Sequence, residues 1–368
     1  MIKQRIQTLQ QHLKNEKLDF AFIQEKANFF YLTGFRCEPH ERLVAVIIPA
    51  HSEPFIIAPL MEQPLIKEAG WKELILTYLD TDNPWDILSN HLNQTSISKH
   101  ALAIEPSSLS YQRSQQLLNL NEHVELYDIE PSLSQARLIK TKEELDILQE
   151  AARFADLGVE IGVSALGKGK TELEVLATIE YELKKKGVTE MSFDTIVLSG
   201  ANSANPHGNP GLNPIEEGSF VLFDLGVVWE GYCSDITRTV GFGNLSEKQE
   251  EIYHTVLHAQ EKAISASKVG TKLKEIDLAA RSHIKQEGYG DYFPHRLGHG
   301  LGVDVHEWPS INETNELILQ EAMVYTIEPG IYVPKYGGVR IEDDIAIQNG
   351  KALTLTQYPK ELQIIKPS

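Results

Sequence analysis

Cysteine is nearly absent: this 368-residue chain has only Cys37 and Cys233, far apart in sequence. Two such residues make neither a disulfide framework nor a thiolate zinc site, and they suit a reducing compartment. Long apolar runs are missing too. No stretch approaches the roughly 18 residues of a membrane span. The first residues, Met1 to Ile6, lead into polar amphipathic sequence without the apolar core of a secretion signal. A cytoplasmic address is therefore expected. Positive charge is scarce, with 34 Lys and Arg against 52 Asp and Glu and a net charge of −18. That balance excludes a surface built to neutralise nucleic-acid phosphates or to dock on anionic lipid. Several catalytic signatures are also lacking. There is no Gly-x-Ser-x-Gly elbow, and Cys233 has no evident activating partner. His306-Glu307 has no second histidine at zinc-protease spacing, and the glycines at 298, 300 and 302 are no dinucleotide fingerprint.

What remains is ordinary globular composition, 42% hydrophobic and 23% charged, in a chain long enough for two domains. Residues 1–131 alternate short apolar runs with helical patterns and read as an α/β domain. Strands are expected at Asp19–Gln24, Asn28–Phe35, Leu43–Pro49, Pro54–Ala58, Leu74–Leu79, Ala101–Glu105 and Val124–Asp128, and helices at Ile2–Lys14, Trp85–Leu92 and Tyr111–Leu118. The segment from Glu130-Pro131 to Lys140 reads as the joint. Thr141 and Glu144 form a capping box at the start of the next helix, within a second domain of residues 132–368. This domain echoes itself. Helical patterns at Glu144–Leu166 and Gln249–Ser267 are each followed by a shorter helix, opened at Thr171 and Thr271, and then by strands carrying acids and histidines. The repeat implies a pseudo-symmetric α+β domain with a site between its halves.

The acids are in unusual places. Phe220–Val227 and Tyr232–Val240 read as a hairpin turning at Val228–Gly231, which sets Asp224 opposite Asp235 among apolar neighbours. Facing like charges on a half-buried sheet are destabilising unless a cation neutralises them or a different register turns one to solvent. Glu328 ends the apolar run from Met323, and Glu342 lies in Val339–Ile345 on the same strand face as Arg340 and Asp344. Singly, Glu328 reads as a strand-end residue and Glu342 as a partner for Arg340. Four acids in four apolar strands point instead to a shared cation site. Three histidines, His295, His299 and His306, fall within twelve residues beside glycines that allow close backbone approach. His207 lies in a polar Gly/Pro/Asn-rich stretch and by itself reads as an ordinary loop histidine.

From about Pro131 onward, the motifs Phe-Asp224-Leu-Gly, Ser-Asp235-Ile-Thr-Arg-Thr, Gly-His299-Gly-Leu-Gly, Ile-Glu328-Pro-Gly and Arg-Ile-Glu342-Asp resemble the pita-bread (M24) family of dinuclear metallopeptidases. With a preceding domain of about 130 residues, the chain is most similar to the short bacterial prolidases, Xaa-Pro dipeptidases of that family. The resemblance implies a creatinase/prolidase-type domain followed by a pita-bread catalytic domain. It assigns Asp224 to one metal, His299 and Glu328 to a second, and Asp235 and Glu342 as bridges. It makes His207, His295 and His306 further active-site histidines and Arg340 the arginine beside the bridging glutamate. Two divalent ions per chain are implied. Oxygen-rich ligation with one imidazole suits Mn2+, with Co2+ or Zn2+ as alternatives.

The implied reaction is hydrolysis of the Xaa-Pro bond of a dipeptide by a metal-bridging hydroxide. Glu328 then relays the proton, His306 steadies the oxyanion, and His207 contacts substrate. His295 with Arg296 is the candidate for binding the carboxylate of the proline. The partners implied are a small peptide substrate and a second copy of the chain in a homodimer. The Arg36–Arg42 loop, read as a charged surface turn between two strands, is the segment to examine for covering a neighbouring site. Rival readings are an aminopeptidase P-like enzyme acting on longer Xaa-Pro peptides, a non-catalytic binding protein on the same fold, and a metal-independent, creatine-type amidinohydrolase.

Overall fold

The computed structural model describes residues 1–367. The chain divides into two compact units, Met1–Arg137 and Leu138–Ser368. This division lies inside the segment from Glu130 to Lys140 that reads as the joint in sequence, six residues beyond the 131/132 boundary drawn there. A continuous helix, Glu130–Leu138, runs across that position, so the division falls at its end.

The first unit is built on a six-stranded mixed sheet ordered Leu74–Tyr78, Phe55–Pro59, Ala45–Pro49, Phe20–Ile23, Ala101–Ile104 and Glu125–Asp128. Its inner strands, Phe20–Ile23, Ala45–Pro49 and Phe55–Pro59, are buried along their whole length. Strands covered on both faces read as continuous apolar runs rather than alternating ones, which is how these segments look in sequence. One expected strand is wrong. Asn28–Phe35 falls largely within a helix, Lys26–Thr33. The Glu25 carboxylate caps it by accepting from Ala27 N (3.0 Å) and Asn28 N (2.8 Å). Six of its eight residues are buried, so no polar stripe reveals the helical period. The Arg36–Arg42 loop consequently joins a helix to a strand. Arg42 is held there by Asp80 through Nε (2.9 Å) and Nη2 (3.0 Å).

The second unit repeats one arrangement. Helices Lys142–Ser164 and Glu172–Lys185 pack on a sheet containing Ile236–Phe242, Ser219–Leu225 and Ile196–Ser199. Helices Glu247–Ala266 and Leu273–Gln286 pack on a sheet ordered Glu307–Ile311, Gly298–Gly300, Val324–Ile327, Asp343–Gln348 and Lys351–Thr354. Three of the four helices begin with reciprocal capping boxes: Thr141 with Glu144, Thr171 with Glu174, and Ser246 with Gln249. Each box satisfies two backbone donors that the first turn would leave orphaned. Each half has its own apolar core, and the two meet through strand backbones. Glu342 N donates to Thr237 O (3.0 Å), and Thr239 Oγ1 donates to Arg340 O (3.0 Å).

Candidate active site and metal centre

The strand segments of the second unit surround a cavity of about 550 Å³. Its lining includes all ten residues singled out from sequence: His207, Asp224, Asp235, His295, Arg296, His299, His306, Glu328, Arg340 and Glu342. Phe193, Asp194, Ile196 and Pro206 complete it.

The register of the Asp224 hairpin differs from the sequence expectation. Trp229 pairs with Tyr232, so the turn is Glu230-Gly231, with φ of 47° and 83°. Two consecutive positive φ values are those of the tight turn favoured between twisted strands. This turn sits one residue later than expected, which pairs Asp224 with Thr237 rather than Asp235. Asp235 is displaced by two residues along the same strand direction, a diagonal rather than direct neighbour, and it still reaches the cavity. His299 occupies the middle of Gly298–Gly300. A Cβ on Gly298 would lie 1.9 Å from Thr326 O, so only glycine lets this strand approach its neighbour. Glu328 follows Val324–Ile327 directly, and Glu342 sits in the break between Gly337–Arg340 and Asp343–Gln348.

Four carboxylates thus converge with little to neutralise them. Arg340 Nη2 donates to Asp224 Oδ2, and Thr237 Oγ1 donates to Glu342 Oε2 (2.6 Å). Burial, and then the charges of Glu342 and Asp224, holds the Asp235 carboxyl well above the usual range. Glu342 is pushed up by burial and by Glu328 and Asp224. Glu328 is pushed up by burial against the opposing pull of Arg340. Asp344, which accepts from Asp235 N (3.1 Å), lies buried beside the site and is raised for the same first reason.

Two of the imidazoles, His299 and His295, are held in defined tautomers by their partners. His299 Nδ1 faces Gly300 O at 3.1 Å and donates to it. Its Nε2 lone pair is thereby turned towards Glu328 Oε1 (3.3 Å) and Asp235 Oδ2 (3.7 Å). Burial lowers the His299 pKa, so this nitrogen is poorly placed to carry a proton. A lone pair aimed at carboxylate oxygens is repulsive unless a cation lies between them. The His306 ring stands edge-on to His299, centroids 4.3 Å apart, and desolvation with the His299 and Arg296 neighbours lowers it to about 4. The His295 ring is fixed from both sides. Its Nδ1 donates to Arg296 O (2.8 Å), its Nε2 accepts from Tyr332 Oη (2.9 Å), and burial lowers it to about 4.

The donor set fits divalent cations. One ligand atom each from Asp235, His299 and Glu342 lies within 4.8 Å of the others. Asp224 Oδ1 and Asp235 Oδ1 are buried without a hydrogen-bond partner. Buried carboxylate oxygens in that condition are strongly unfavourable, and a bound ion removes the penalty.

Several residues here escaped the sequence reading. Tyr332 accepts from Arg340 Nη1 (2.8 Å) and so links the arginine to His295. Arg238, fully buried, donates to Thr237 O (3.0 Å) and Glu342 O (2.5 Å) and pairs with Asp343 (2.6 Å), fixing the backbone beneath two of the site's groups. Phe193 and Ile196 give the cavity an apolar wall. In sequence all of these look like ordinary strand residues.

Comparison with known proteins places this geometry in a family. Residues 146–349 match the model of Metallopeptidase family M24, and residues 5–139 match the Creatinase/Prolidase N-terminal domain. A Bacillus subtilis protein named "Putative dipeptidase YkvY" is 53% identical over 98% of this chain and 99% of its own length. Among solved structures, an Xaa-Pro dipeptidase from Bacillus anthracis has a TM-score of 0.91 at 33% identity, covering 99% of this chain and 100% of that one. A recombinant prolidase from Thermococcus sibiricus has a TM-score of 0.94 at 36% identity, covering 99% of each chain. The pairing of domains, the convergent acids and the extent of these matches lead to one assignment: the chain belongs to metallopeptidase family M24, with a creatinase/prolidase N-terminal domain ahead of its pita-bread catalytic domain.

Proposed function

We propose that this protein is a prolidase, hydrolysing the Xaa-Pro bond of dipeptides with two divalent metal ions, Mn2+ by preference. The observation that carries this reading is the single cavity in which Asp224, Asp235, Glu328, Glu342 and His299 meet, two of their carboxylate oxygens buried without partners. Asp224 would hold one ion, His299 and Glu328 the other, and Asp235 and Glu342 both. Four carboxylates offset the four positive charges, and the ions supply a water of lowered pKa and polarise the scissile carbonyl.

The chain's own groups do the rest. Glu328 takes the proton of the attacking water and delivers it to the imino nitrogen of the departing proline. Its burial, which favours the protonated form, suits that exchange. Neutral His306, exposed at the cavity edge, donates an N–H to the developing oxyanion. His207, also exposed there, contacts the substrate beside the cleaved bond. Arg340 steadies Asp224 by donating to it. Arg296 lines the cavity, is exposed and makes no ion pair among the described residues. It therefore takes the proline carboxylate, together with His295 beside it in the same lining. The Xaa-Pro dipeptidase and prolidase titles of the similar structures support the same substrate class. The family resemblance further supports a homodimer in the cytoplasm, and sedimentation of the native protein tests the dimer directly. No helix among the described residues is long and apolar enough to cross a membrane.

A second reading, removal of the first residue from longer Xaa-Pro peptides, draws on likeness to an X-Pro aminopeptidase from Thermotoga maritima. That structure is 30% identical with a TM-score of 0.85, covering 95% of this chain and 98% of that one. Incubating the Mn2+ form with Ala-Pro and with Ala-Pro-Ala separates the two. Alanine released from the dipeptide supports the prolidase reading, and alanine released only from the tripeptide overturns it.

A further inference from the structure

Away from the peptidase cavity, a second group of imidazoles sits on the helix pair Glu247–Ala266 and Leu273–Gln286. His254 and His258 are four residues apart and share one helix face. Both are exposed, and their rings stack with centroids 6.3 Å apart. His283, on the other helix, meets His258 at 6.1 Å with the ring planes at 62°. The His283 side chain is only 14% exposed and its Nδ1 lies 4.0 Å from Glu287 Oε1. Its Nε2 is buried and has no hydrogen-bond partner. None of these residues lines the peptidase cavity.

An unpartnered buried nitrogen is unfavourable, and the helix pair supplies no hydrogen bond to relieve it. Two histidines four apart on one helix face are a recurring chelating pair, and a third imidazole on an adjoining helix makes a donor set for an ion of borderline softness. The nitrogens are not drawn together in this conformation. His254 and His258 are on the surface, where rotation to another staggered rotamer is open to them. Burial, with Lys262 and His258 adding to it and Glu287 opposing, keeps His283 below its ordinary pKa and its lone pair available at neutral pH.

We propose that His254, His258 and His283 form a second, non-catalytic site for a transition-metal ion such as Zn2+, Cu2+ or Ni2+, clamping the two helices, with Nε2 of His283 as its buried ligand. The site requires no change in the peptidase reading and stands or falls separately from it. The test is equilibrium dialysis of the native enzyme and of His258→Asn and His283→Asn against buffered Zn2+, followed by metal counting by mass spectrometry. All three proteins keep the same peptidase centre, so the difference between them reads the new site. The expected result is one zinc equivalent fewer per chain in both variants, a smaller zinc-induced rise in melting temperature, and unchanged Mn2+-supported peptidase turnover. Zinc contents equal to that of the native enzyme overturn the proposal. Because His258 is exposed, its variant keeps the test decisive even if His283→Asn fails to fold.

Discussion

At the scale of single residues, the centre is defined by charges that the protein alone does not balance. Asp235 lies buried among Glu342, Asp224, Asp344 and Glu328, with one oxygen unpartnered. Asp235→Asn and Glu342→Gln should each abolish hydrolysis and weaken metal binding, because each removes a charge proposed to bridge both ions. Each should also raise the melting temperature of the metal-free protein, since a repulsive buried charge is gone. Calorimetry with and without metal checks both signs, and near-native turnover in either variant contradicts the assignment. Arg296→Met should raise KM for Ala-Pro roughly tenfold, the worth of one charge-assisted hydrogen bond, and leave Ala-Pro-amide nearly unaffected. Steady-state kinetics on the two substrates reads the difference. The acids were legible in sequence because a carboxylate in an apolar strand is anomalous. Tyr332 and Arg238 were not, since their importance lies in partners more than 30 residues away, His295 for one and Glu342 for the other.

At the scale of elements, the site depends on strands that approach closely and on one tight turn. Gly298→Ala sets a Cβ against Thr326 O, which forces the His299 strand away from its neighbour. The expected outcome is loss of metal binding together with several degrees of thermal stability, measured by metal titration and thermal melts; retention of both would show that the strand can shift at little cost. The apolar residues around Asp224 and Asp235 made both strands of the hairpin readable. Its register was not, because moving the turn by one residue changes the partner of Asp224 from Asp235 to Thr237 without altering which face either acid occupies. Helix Lys26–Thr33 was hidden for a different reason: burial on nearly every side removes the period that distinguishes helix from strand. Helix starts were readable at Thr141 and Thr171, where capping boxes mark them, whereas the box at Ser246 was passed over and that helix placed from Gln249.

At the scale of the whole molecule, the division into an α/β unit and a repeated α+β unit follows from patterns visible along the chain. The second unit folds its helix-helix-sheet arrangement twice, and the facing strands bring acids more than a hundred residues apart into one cavity. An ion bound only by the folded state stabilises that state by mass action, by about 2.7 kcal/mol at a hundredfold excess over Kd. Folding and catalysis are therefore coupled through the same site. The most direct test is the rate of Ala-Pro hydrolysis after exhaustive chelation and again after Mn2+ is restored. Hydrolysis that disappears with the metal and returns with it is the predicted result. Undiminished hydrolysis by fully metal-free protein would contradict the claim that these acids gather to hold cations for catalysis.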